Sequence, residues 1–217
     1  MKKWLFTFVM AGILFIPGMA SADSIDLQRR IEDGQTLLIN RDLPVALTVI
    51  NGVLAEDPVN VEARIILAQI YKSQEKYEKS LNELDQVLAI DSGHATAFND
   101  RGHLWLIMGR YEQAVVDCNL SLNLEPGNAA AWNNRGIAWW ALDQPGQAVM
   151  DYNRALRLDN DFAAAMVNRA VAYRTLGRLD LASVDLLKAE GLGWPIKSDR
   201  VSLPGRGMMD SFMVSAR

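Results

Sequence analysis

Small, large and polar residues recur along this chain with a constant spacing of 34 residues. A small residue stands at Gly34, Ala68, Gly102, Gly136 and Ala170. Three residues later comes a large one: Leu37, Tyr71, Trp105, Trp139 and Tyr173. Nine residues beyond that stands Ala46, Ser80, Ala114, Ala148 or Ala182, and four further on Ile50, Leu84, Cys118, Tyr152 or Leu186. An unbroken period of this length predicts a repeat architecture, in which each unit contacts mainly its neighbours and stacking makes one continuous core. Such an architecture binds through an extended surface. The period itself names no partner.

These residues resemble the tetratricopeptide repeat (TPR), whose pattern is W-x2-L-G-x2-Y, then A-x3-F, then P. Units three to five carry it most fully, as in Trp132, Arg135, Gly136, Trp139, Ala148 and Tyr152. Arg30 and Arg64 stand where the family usually has Trp, and Arg101, Arg135 and Arg169 where it usually has Leu. The resemblance implies an all-α, right-handed solenoid of five helix–turn–helix units, at about 27–60, 61–94, 95–128, 129–162 and 163–195, within a domain spanning 23–195. Small residues at the eighth and twentieth positions would let paired helices approach closely, and the large eleventh residue would fill the space between them. Gly109 and Gly177 mark the internal turn of units three and five, where Gly adopts positive φ at little cost. Pro58, Ser92, Pro126 and Asn160 read as helix-start and loop signals between units, and beside them Asp57, Asp91, Glu125 and Asp159 recur at the same spacing and read as caps and surface charge.

Residues 1–22 read differently. Lys2 and Lys3 precede an apolar run from Trp4 to Ile16, Pro17 and Gly18 break it, and Ala20-Ser21-Ala22 fits a small-x-small cleavage site. This is the pattern of a secretory signal peptide, and the apolar run is too short to span a bilayer. No lipid-acceptor Cys follows it, so the mature chain is expected to begin at Asp23 in the periplasm, with membrane contact only through the leader. Residues 196–217 form a tail with an apolar group (Met208, Met209, Phe212, Met213, Val214) that reads equally as a cap, a loose tail or a homodimer contact.

Charge narrows the partners. The formal net charge is −4, and loss of Lys2 and Lys3 makes it −6, with 20 basic residues against 26 acidic ones. Nucleic acid binding rests on Lys and Arg neutralising phosphates, so nucleic acid is not expected as a partner. The single cysteine, Cys118, allows no internal disulfide and occupies an apolar position of its unit, which reads as a small core residue.

No constellation for catalysis, metal or cofactor emerges. His94 and His103 have no cysteine or carboxylate at zinc-ligand spacing, and neither a phosphate loop nor a G-x-S-x-G elbow occurs. The chain is therefore expected not to be an enzyme and to need no cofactor. Arg101, Arg135 and Arg169 recur in step with Asp117, Asp151 and Asp185. Bases matched one for one by acids predict a charged hydrogen-bond ladder between packed helices rather than an anion-binding row.

The resemblance also implies a concave groove lined by the first helices. Its candidate residues are Asn99, His103, Asn133, Asn134, Ile137, Trp140, Asn168 and Arg174. Asn can serve the backbone of an extended peptide through its donor and acceptor, and Trp140 could hold its side chains. A clamp for C-terminal carboxylates, found in some family members, would use Asn99, His103, Asn134, Ala164 and Asn168, and only Asn134 has the matching residue type. The expected function is a non-catalytic protein–protein interaction scaffold or adaptor of the bacterial cell envelope, binding proteins or peptides. The alternatives are a periplasmic chaperone or assembly factor for a secreted, pilus or outer-membrane client, and a subunit of a cell-wall enzyme.

Overall fold

The structure, a computed structural model, describes residues 22–195. The tail from 196 and the leader, apart from Ala22, lie outside the described residues. Ten helices and no strand occur among the described residues, giving an all-α solenoid of five helical hairpins. The first helices are α1 (Ala22–Ile39), α3 (Val61–Ser73), α5 (Ala95–Ile107), α7 (Ala129–Ala141) and α9 (Ala163–Thr175). The second helices are α2 (Leu43–Glu56), α4 (Tyr77–Ile90), α6 (Tyr111–Leu124), α8 (Pro145–Leu158) and α10 (Leu179–Gly191). Each second helix packs on its own first helix and, up to α8, on the first helix of the next unit. First helices also touch one another, α1 on α3 and α5 on α7 on α9, which makes theirs the inner face of the stack.

The close approach inside each hairpin follows from the missing side chains. A Cβ on Gly136 would lie 2.6 Å from the ring of Tyr152, and one on Gly102 would lie 3.0 Å from Cys118 Sγ. Ala46, Ala114 and Ala148 are fully buried opposite them. Ser80 replaces Ala at this position without an orphaned hydroxyl, because its Oγ donates to the Ala68 carbonyl at 2.7 Å.

The internal turn needs positive φ in every unit. Gly109 and Gly177 supply it at 72° and 73°, and Arg41, Glu75 and Asp143 adopt 61°, 58° and 61° at the same place. The last three carry a strain that glycine does not.

Helix starts correct one expectation. Asp57, Asp91, Glu125 and Asp159 are the C-caps of α2, α4, α6 and α8. The residue that starts the next helix is Asn60, His94 or Asn128, whose side chain accepts from the backbone N–H three residues on. The acids instead close the loop: the Asp91 carboxylate accepts from Gly93 N–H at 2.9 Å and that of Asp159 from Asp161 N–H at 3.1 Å. A free helix N-terminus sits closer to position 34 of the unit than to its acid, so the nearer side chain caps it.

The Arg–Asp ladder is present and reaches further than pairing within a unit. Arg135 Nε and Nη2 donate to both oxygens of Asp151 at 2.8 and 2.7 Å, while Nη1 donates to Asn119 of the preceding unit at 2.6 Å. Arg169 repeats this with Asp185 and Asn153, and Arg101 with Asp117 and Asp85. Each Arg thus ties three helices together. The acids are buried, at 3%, 5% and 2% exposure for Asp117, Asp151 and Asp185, so the charged fork replaces the water they have lost, and Asp117 accepts a further bond from Trp105 Nε1 at 3.0 Å. The hydrogen bonds that Arg101 donates to Asp117 are also what hold the Arg101 pKa above its ordinary value, with burial opposing them. Committed to carboxylates in this way, the row is structural rather than an open anion site.

Candidate functional site

The inner face of units three to five is formed by α5, α7 and α9. Their sequences place Asn at the fifth and sixth positions, which meet across adjacent helices. Asn134 Nδ2 donates to Asn99 Oδ1 at 3.0 Å, and Asn168 Nδ2 donates to Asn133 Oδ1 at 2.9 Å. About two turns further along, Trp140 Nε1 donates to Thr175 Oγ1 at 3.2 Å, and that hydroxyl donates in turn to the Val171 carbonyl. These three cross-helix bonds each join a residue to the one 35 positions away.

This geometry corrects four of the candidate groove residues. Asn99, Asn133, Asn134 and Ile137 are buried, at 8%, 1%, 9% and 7% exposure. Each Asn side chain bonds its neighbour between helices, and burial withdraws Asn99, Asn133 and Asn134 from the backbone of a partner. Asn168 is half-buried and has already committed one donor. The surface that remains open is set by His103, Trp140 and Arg174, all half-buried, together with Ile107 and Val171. Lys72 in α3 belongs to the same surface and was missed. It holds the position in unit two that Trp140 and Arg174 hold in units four and five, so extending that row back would have found it.

The charges on this face are unequal in strength. Burial, with Lys72 adding to it, lowers the His103 pKa from 6.5 to about 4, so the imidazole is neutral at physiological pH. Burial raises the pKa of the neighbouring Asp100, against the opposing pull of Lys72 and a hydrogen bond from Gln69. Lys72 and Arg174 are the long cations at the two ends of the row, with the Trp140 indole between them. The arrangement offers an apolar, aromatic middle between cationic ends. It suits the side chains of a bound polypeptide.

Cys118 is fully buried and its thiol is pushed up to about 12 by burial, with Asp117 adding to the shift, which removes the nucleophilic thiolate. Among the described residues, no group of three or more His, Cys, Asp or Glu side chains is placed to hold a metal ion. No described helix is long and apolar enough to cross a membrane.

Comparison with known proteins agrees with the geometry. Curated proteins returned no significant match. Among solved structures, a crystal structure of MamA superposes with a TM-score of 0.64 at 20% identity, covering 76% of this chain and 91% of that one. PilF of Pseudomonas aeruginosa gives a TM-score of 0.73 at 20% identity, covering 81% of this chain and 79% of that one. MamA of Desulfovibrio magneticus RS-1 gives 0.67 at 16% identity, with 77% and 94% covered. At such identities these likenesses speak for the shared fold. The tetratricopeptide repeat family model matches residues 32–95 and 140–192, more than half of the chain, and the chain belongs to that family.

Proposed function

We propose that this protein is a non-catalytic scaffold of the bacterial cell envelope that holds a peptide segment of a partner protein across the inner face of units three to five. Interaction with proteins is the general work of this fold. The envelope assignment rests on the leader pattern in residues 1–22. The observation that carries the choice of face is Trp140: a half-buried indole, held in place by its bond to Thr175, beside apolar Val171 and between the cations Lys72 and Arg174. A large aromatic fixed in a groove contributes contact area at little entropic cost, and such residues dominate interface energies.

Crosslinking in the native envelope, followed by mass spectrometry, identifies the captured partner. Trp140→Ala is expected to weaken that capture at least about tenfold, or about 1.4 kcal/mol, with helicity near wild type. Capture that is unchanged in Trp140→Ala would move the working surface away from this groove. Asn134→Ala serves as the control: its side chain lies between helices, so it should lower stability more than it lowers capture.

A further inference from the structure

The outer clefts on the two sides of unit four share one construction. In the cleft between units three and four, Trp132 fills the space. Its ring lies 4.6 Å from the Arg135 guanidinium and 5.9 Å from that of Arg154, and its Nε1 donates to the Pro126 carbonyl at 2.9 Å. A shift of 34 residues carries Trp132, Arg135 and Arg154 onto Met166, Arg169 and Lys188. Pro126 becomes Asn160, and Asn123 becomes Arg157. The cations are kept and one is added, but the indole has become a thioether.

The consequence is an open cavity of about 360 Å³ between α8, α9 and α10, bordered by Arg157, Asn160, Met166, Arg169 and Lys188. Leu156 and Met166 give it an apolar part. Arg169 is neutralised by Asp185, whereas Arg157 and Lys188 have no ion-pair partner among the described residues. The cavity therefore combines the vacated seat of an aromatic ring with two uncompensated positive charges.

We propose that this outer cleft is a second binding site, separate from the inner face, and that it takes an acidic segment of a partner protein bearing one aromatic side chain. The ring enters where Trp132 sits in the unit before, between Arg169 and Lys188, where a guanidinium and an ammonium favour an aromatic face. Flanking carboxylates meet Arg157 and Lys188. The chain's own tail has the wrong sign for this role, since residues 196–217 carry four basic residues (Lys197, Arg200, Arg206, Arg217) against Asp199 and Asp210. A scaffold with one site on each face can hold two partners at once.

The test uses the full chain and labelled peptides read by fluorescence anisotropy: one with a Glu-Trp-Glu core, one with Lys-Trp-Lys and one with Glu-Ala-Glu. The Glu-Trp-Glu peptide should bind at least about tenfold tighter than either other peptide. Met166→Trp rebuilds the arrangement of the preceding cleft, so it should fold with an unchanged or higher melting temperature and lose that binding at least tenfold. Arg157→Glu combined with Lys188→Glu should lose it as well, which covers the case in which Trp is poorly accommodated. The proposal is overturned if the Glu-Trp-Glu peptide shows no preference over the other two, or no binding at millimolar concentration. Equal binding by Met166→Trp and by the charge-reversed variant would overturn it too.

Discussion

Units one and two and units three to five use the same backbone to solve the same packing problem with different chemistry. In the front half the core is aliphatic, built from Ile31, Ile50, Val53, Ile66, Leu67 and Ile70. Its charged contacts involve no fully buried acid: Arg30 reaches the exposed Glu56, and Arg64 reaches the half-buried Glu83. In the back half, the position held by Leu67 becomes Arg101, Arg135 and Arg169, each bound to a buried Asp. Arg64 shows how far a substitution can preserve the local job. It stands where unit four has Trp132, and both donate to the carbonyl six residues back, Pro58 and Pro126 respectively. An aliphatic contact tolerates sliding, whereas an Arg fork with two acceptors on two helices accepts only one placement. The back half is thus the part of the stack whose register is set by directional bonds.

Removing one member from each kind of core separates them. Leu67→Ala should cost about 3 kcal/mol through the cavity it leaves. Arg135→Ala should cost a similar amount, about 3 kcal/mol, because it strands a buried Asp151. The two differ in rescue. Adding Asp151→Ala to Arg135→Ala should restore at least about 1 kcal/mol in urea denaturation, since the uncompensated charge goes with it. Failure of that rescue would mean the ladder acts through packing alone, as the front half does.

Acid should also distinguish the halves, since His103 lies in the first helix of unit three and His94 caps that helix. His103 binds a proton near 6.5 when unfolded but only near 4 when folded. Its contribution is therefore fully present above the unfolded value and is lost as pH falls from about 6.5 to about 4, by roughly 2–3 kcal/mol. Asp100, with a raised pKa, works in the opposite direction, gaining stability as it protonates. His103→Gln should flatten the decline when stability is measured at pH 7, 5 and 4. A decline of unchanged size in that variant would assign the acid sensitivity elsewhere.

The smallest effect concerns the turns. Asp143→Gly should raise stability by roughly 0.5–1 kcal/mol, because a left-handed residue with a side chain becomes one without. Glu75→Gly should do the same in the front half, and Gly177→Ala should cost about 1 kcal/mol. Equal gains in both halves would show that the turn is independent of the core chemistry around it.

Much of the architecture was legible from period alone. Small residues opposite Ile50, Cys118 and Tyr152 announced close helix pairs, and Arg and Asp in step announced the ladder, because a repeat writes the same packing constraint several times. The single Cys118 could be read as core for the same reason. Less legible were features that depend on where one helix stands relative to the next. The sequence shows Asn99, Asn133, Asn134 and Asn168 recurring on the inner side of their helices. Only the stacked structure shows α5, α7 and α9 close enough for those amides to pair with one another and leave the groove to His103, Trp140 and Arg174. The same holds for the third bond of each Arg and for the caps at Asn60, His94 and Asn128. Sequence by itself determined the repeat, the hairpin and the residues that must be small, since those follow from spacing along one chain. Tertiary structure decided which polar groups are satisfied internally and which remain to meet a partner, since that depends on the distance between helices that sequence spacing does not encode.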